Sequence, residues 1–66
     1  MDTLASLNPL MLGRAYRAER RALGQTQQEV ADAAGLHRRV ILDLEAGRIV
    51  SLHTVFSAVA ALAKAC

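Results

Sequence analysis

The residues best suited to chemistry in this chain are arginines. Seven of the eight cationic side chains are arginine, and six of them fall into two groups: Arg14, Arg17, Arg20 and Arg21, then Arg38 and Arg39. A guanidinium presents a planar fork of N–H donors that fits phosphate and the acceptor edge of guanine. Charge alone does not establish that use. The formal net charge is only +2, and arginines at helical spacing equally describe a solvated helix face. Other reactive types are sparse. His37 and His53 stand far apart with no thiol nearby, so metal-ligand spacing is missing. No nucleophile–base pair stands out, and short helices offer little concavity for one. The sequence therefore predicts no catalytic residue, no metal site, no cofactor and no enzyme. The single cysteine, Cys66, excludes an internal disulfide and fits a reducing cytoplasm.

Those arginines need a scaffold, and 66 residues allow one small domain. A domain of this size buries a modest core. Without disulfide or metal, a partner subunit is the natural source of further burial. No apolar run approaches the roughly 20 residues of a membrane span. Residues 1–10 lack the basic and apolar regions of a secretory leader. The expected location is cytoplasmic, with no membrane partner.

Period-2 alternation and hairpin dipeptides are absent, so the chain reads as all-α: a compact bundle of four short helices. Residues 1–8 read as an N-terminal arm and residues 9–66 as the folded domain. Asn8 and Pro9 mark a helix start as N-cap and first helical residue. Helix one then runs to about residue 23, where Gly24 stops it, with Leu12, Tyr16 and Leu23 inward and Ala15 beside them. Thr26 and Glu29 have the spacing of a capping box for helix two, residues 27–34, which Gly35 ends. Val30, Ala31 and Ala34 are its inner face. Helix three starts at His37 or Arg38, runs to Glu45 and stops at Gly47. At about 100° per residue, Ile41 and Leu44 point inward while Arg39, Leu42 and Asp43 point out, with Arg38 at the edge. Ser51 caps helix four, whose expected apolar stripe is Leu52, Val55, Phe56, Val59 and Leu62.

The stretch from Gln25 to Gly47 combines capping box, short helix, glycine turn, short helix and glycine. Two brief helices joined by such a turn form a helix-turn-helix. Its second helix projects into a major groove about 12 Å wide, and the first braces it with its N-terminus toward a phosphate. Free N–H groups at the Thr26/Gln27 end suit that phosphate.

The chain also resembles a known family. Leu12-Gly13, Arg20 through Ala31, Gly35, Ile41, Leu44 through Arg48, and Ser51-Leu52 through Leu62 are similar to the phage-repressor/Cro-type helix-turn-helix family, the lambda-repressor-like or xenobiotic-response-element class. The resemblance spans about fifty residues. It implies that Arg38, Arg39 and Asp43 read bases, with His37 beside them at the helix-three N-cap. It implies phosphate contacts for Gln27 and Arg48. It pairs Arg20 with Glu45 across helices one and three, with the arginine also near the DNA backbone. Residues 48–54 resemble antitoxin-type members in particular. Two residues depart from the family pattern: His37 replaces the usual Ser or Thr cap, and Leu42 is an outward leucine on the recognition helix.

Each residue also has a plainer reading. Arg38 and Arg39 can be solvated, and Asp43 can form an i,i+4 pair with Arg39 instead of accepting from cytosine N4. His37 can simply cap. Leu42 can meet a thymine methyl, a protein, or nothing. Gln28 is exposed and within reach of a phosphate backbone, whereas Arg14 and Arg17 read as solvent-facing. The combined expectation is a dimeric, autoregulatory repressor on a palindromic double-stranded DNA operator, with an antitoxin first and a phage or restriction-modification controller second. A module that binds a toxin enzyme without DNA is the competing class. Helix four, Cys66 or the Leu4/Leu7 segment is expected to supply the homodimer contact.

Overall fold

A computed structural model describes residues 8–48 and 50–65, the last of these by backbone alone. Its element order is α1 (Pro9–Ala22), α2 (Gln27–Ala34), α3 (Arg38–Glu45) and α4 (Leu52–Ala65), with no strand among the described residues. The fold is all-α, as the sequence predicts. Most of the expected arm, the Leu4/Leu7 segment and Cys66 lie outside the described residues. No described helix is long and apolar enough to cross a membrane.

Local chemistry sets the helix ends. The Asn8 side chain accepts from the Met11 N–H at 2.9 Å, and Pro9 opens α1. Thr26 and Glu29 form the reciprocal capping box of α2: the Glu29 N–H donates to Thr26 Oγ1 at 3.0 Å, and the Thr26 N–H to Glu29 Oε1 at 2.8 Å. Gly35 at φ +71° closes that helix in the left-handed region, where a side chain would be strained. His37 occupies the N-cap of α3 without a side-chain hydrogen bond, so α3 begins at Arg38. Ser51 caps α4 by accepting from the Thr54 N–H at 3.1 Å.

The core is small: Tyr16, Val30, Ala31, Ile41, Leu44, Ala58 and Ala61, flanked by half-buried Leu12, Ala34, Leu36, Val50, Val55 and Leu62. α4 packs chiefly on α2, while α3 packs on both α1 and α2. Alanines at 31, 58 and 61, all essentially inaccessible, let backbones approach closely. Two expectations are corrected here. The α4 stripe is rotated: Val55 and Leu62 do turn toward the core, but Leu52, Phe56 and Val59 are 68%, 63% and 46% exposed. α4 is apolar on nearly every side, and it is the alanine face that fits against α2. Ala15 is exposed rather than beside the inner face of α1, because Gly13, Tyr16 and Arg20 form that face.

Gly13 explains how α3 is seated. A Cβ at that position would overlap the Leu44 carbonyl oxygen and lie 2.9 Å from that of Glu45. Only a glycine lets α1 pass so close to the end of α3.

Candidate nucleic-acid interface

The inner side of α3 is locked in place. Ile41 and Leu44 are buried, and at its C-terminal end Glu45 holds Arg20 of α1. Arg20 Nε donates to Glu45 Oε2 at 2.7 Å and Nη2 to Oε1 at 3.1 Å, while Nη1 donates to the Gln25 carbonyl at 2.8 Å. The side chains are only 10% and 5% exposed. The bond to Glu45 raises the Arg20 pKa above the ordinary arginine value, against the opposing effect of burial. Gln27 joins them, its Nε2 donating to Glu45 Oε1 at 3.2 Å. One carboxylate thus ties α1, the start of α2 and the end of α3 together, and fixes the angle at which α3 projects.

A second polar link holds α1 to α4. The buried Tyr16 hydroxyl donates to the Ala58 carbonyl at 2.9 Å. Burial, and then the negative charge of Glu45, push its pKa up to about 12, with Arg20 opposing.

The outer side of α3 is open. His37, Arg38 and Arg39 are exposed at its start, and Asp43, one turn beyond Arg39, is half-buried beside it. Arg39 Nε lies 3.5 Å from Asp43 Oδ1, so the plainer i,i+4 pairing does form. Arg48, expected to contact phosphate, donates from Nη1 to the same Oδ1 at 3.0 Å. Leu42 is half-buried rather than fully outward. On one side of it lies an open groove of about 580 Å³ lined by Arg17, Arg20, Arg21, Thr26, Gln27 and Ala46, among others. Gln28 is exposed on α2, its Nε2 donating to Asp32 Oδ1 at 2.8 Å.

The predicted residues therefore form two adjoining sets. Arg20, Gln27 and Glu45 sit at the groove beside the α2 N-terminus, and Arg39, Asp43 and Arg48 gather on the outward face of α3. Arg38 and His37 stand at the far end of that helix. A short helix with exposed arginines on its outer face, braced behind by a second helix, is the geometry required for entry into a major groove. The sequence model of the helix-turn-helix family matches residues 17–65, most of the chain. The protein belongs to the phage-repressor/Cro-type helix-turn-helix family. No curated protein sequence matches the chain.

Family membership makes this a DNA-binding regulatory domain, the module of sequence-specific transcription regulators, and makes double-stranded DNA its partner. Sequence reasoning missed several supports of the helix-turn-helix. Arg17 and Arg21 were legible only as surface charge, yet they line the groove beside the α2 N-terminus. Neither the Tyr16–Ala58 bond nor the Arg48–Asp43 pair carries a helix-periodicity signal: the first joins residues 42 apart in the chain, and the second depends on the turn at Gly47 after α3.

Proposed function

We propose that this helix-turn-helix protein is a dimeric, autoregulatory transcriptional repressor of the antitoxin type. In this reading α3 enters the major groove of a palindromic operator. Arg38 and Arg39 donate to guanine O6 and N7, and Asp43 accepts from a cytosine amino group. His37 lies at the helix start within reach of the same base pairs. Gln27 and Gln28 meet one phosphate run at the start of α2, Arg48 meets another beyond α3, and Arg20 reaches the backbone while its main task is holding Glu45. The observation that carries the reading is the two-sidedness of α3. Its inner side is fastened by buried Ile41, Leu44 and the Arg20–Glu45 pair, and its outer side offers Arg39, 73% exposed, joined by Arg48, 64% exposed, from the loop that follows. Selection of binding sites from a random duplex pool tests it: a palindromic consensus is expected, and an unenriched pool overturns it.

The exposed Leu52, Phe56 and Val59 ridge of α4 supports the dimer. An apolar ridge on a domain with so small a core is a natural surface for a second copy. The two-fold must set two α3 helices about 34 Å apart, one turn of duplex. Phe56→Glu should shift sedimentation from dimer to monomer and weaken operator binding, leaving helix content intact. A dimer unaffected by this change places the interface elsewhere. The same ridge is the surface that would favour a toxin partner, the second reading. Pull-down of the product of the adjacent gene in its operon, lost in Phe56→Glu while the wild-type chain sediments as a monomer, would favour that over self-association.

A further inference from the structure

The outward face of α3 carries a carboxylate where a phosphate-binding surface has least use for one. Asp43 is less exposed than the groups it holds: its side chain is 30% exposed against 73% for Arg39 and 64% for Arg48. Both guanidinium groups converge on a single oxygen, Oδ1, at 3.5 Å and 3.0 Å. The second contact is set by the backbone. Gly47 at φ +81° turns the chain back, and the Arg48 N–H donates to the Asp43 carbonyl at 3.0 Å. Arg48 is thereby returned over the last turn of α3 instead of trailing into solvent. Leu42 and Ala46 line the shallow depression that these three charged residues share.

We infer that Asp43 is a specificity-determining residue, which holds Arg39 and Arg48 away from arbitrary phosphates and releases them where a base pair offers its carboxylate a donor. The inference rests on the reading of α3 as the groove-entering helix. An approaching duplex meets the two guanidinium groups first and the carboxylate beneath them second. Exposed ion pairs of this kind are weak, so phosphate or guanine can draw the arginines off. Doing so leaves a carboxylate facing DNA, repelled by phosphate and stripped of its partners. Cytosine N4 and adenine N6 are the major-groove amino groups that can satisfy it. On other sequences the unpaired charge is a built-in penalty, which is how discrimination against wrong partners is obtained. Asp43 thus sacrifices general affinity for sequence preference.

The test compares wild type with Asp43→Asn and Asp43→Glu on two duplexes of equal length, the consensus selected by the wild-type protein and an unrelated sequence, across a salt titration. Asp43→Asn should steepen the salt slope on the unrelated duplex by about 0.9, the effect of one more neutralised phosphate. Over a tenfold fall in salt, that slope corresponds to about eightfold tighter binding. Affinity for the consensus should not rise in step, so the consensus-to-unrelated ratio should fall about eightfold or more. Asp43→Glu restores the charge and should return the slope to that of wild type, and Arg48→Ala combined with Asp43→Asn should do the same by removing a released cation. A purely structural role for Asp43 would move the melting temperature and leave the slope alone. If wild type selects a consensus and Asp43→Asn keeps both slope and ratio, this inference falls while the reading of α3 stands. If wild type selects nothing, both fall.

Discussion

Glu45→Ala should unseat α3. The change removes two hydrogen bonds from Arg20 and the acceptor of the Gln27 amide. It leaves a guanidinium that is 10% exposed with only the Gln25 carbonyl as partner. Breaking a buried ion pair by deleting one partner typically costs about 3–5 kcal/mol. Arg20 borders the open groove, through which water can reach it, so the expected loss is about 3 kcal/mol, the lower end of that range. A domain of 66 residues has a total stability of about 3–10 kcal/mol. The variant should therefore lose a third or more of its stability. At about 4–8 °C per kcal/mol the melting temperature should drop by at least about 12 °C. Thermal melts followed by the helical circular-dichroism signal measure this directly. The companion variant Arg20→Met/Glu45→Leu removes both charges and should recover most of the loss, because an apolar pair of similar volume needs no partner. A Glu45→Ala melting temperature within a few degrees of wild type would refute the reasoning, since it would mean the pair behaves as a solvated surface contact.

Two further changes probe the supports behind α3. Gly13→Ala places a methyl group against the Leu44 and Glu45 carbonyls, both backbone and unable to rotate away, so α1 must shift. About 1–3 kcal/mol of stability should be lost despite alanine's better helix propensity, and a gain in denaturant midpoint would count against the close packing. Tyr16 supplies a pH signature. Its phenol is held at about 12 in the fold against 10 when free, so the unfolded chain gives up the proton first. Its contribution is complete below pH 10 and is lost as pH rises through 12, with roughly 2–3 kcal/mol at stake. Denaturation midpoints from about pH 9 to about pH 12 should fall in wild type and fall less in Tyr16→Phe; parallel curves would contradict the burial of that hydroxyl.

What could be read from the sequence was the locally encoded part. The Asn8-Pro9 start, the Thr26/Glu29 capping box, the Ser51 cap and the glycine stops are short-range chemistry, and each helix lies where that chemistry places it. Arg39 and Asp43 are one helical turn apart, so their pairing was open to inspection. The face of α4 was not. With Leu52, Val55, Phe56, Ala58, Val59, Ala61 and Leu62 distributed around one helix, periodicity names several candidate faces. The choice falls to the neighbour, where the close seat against α2 accepts alanine and excludes phenylalanine. Gly13 has the same character. As a glycine inside a helix it looks costly, and its reason is a carbonyl some thirty residues further along the chain. The Arg20–Glu45 pair entered through family resemblance, and its burial came from the fold. Arg48 was placed near phosphate by resemblance alone; its grip on Asp43 depends on the turn at Gly47.

The central claim is that α3 reads bases while the loop after it holds phosphate, and it predicts two mutants that differ in kind. Binding-site selection with wild type, Arg39→Ala and Arg48→Ala, repeated at two salt concentrations, is the most direct measurement. Arg39→Ala should cost about 1–3 kcal/mol on the wild-type consensus and relax the preference at one base pair. Arg48→Ala should weaken binding to the selected sequences and lower the salt slope on them by about one, with the consensus retained. An Arg39→Ala protein that selects the wild-type consensus unchanged would contradict the assignment of α3 as the recognition helix.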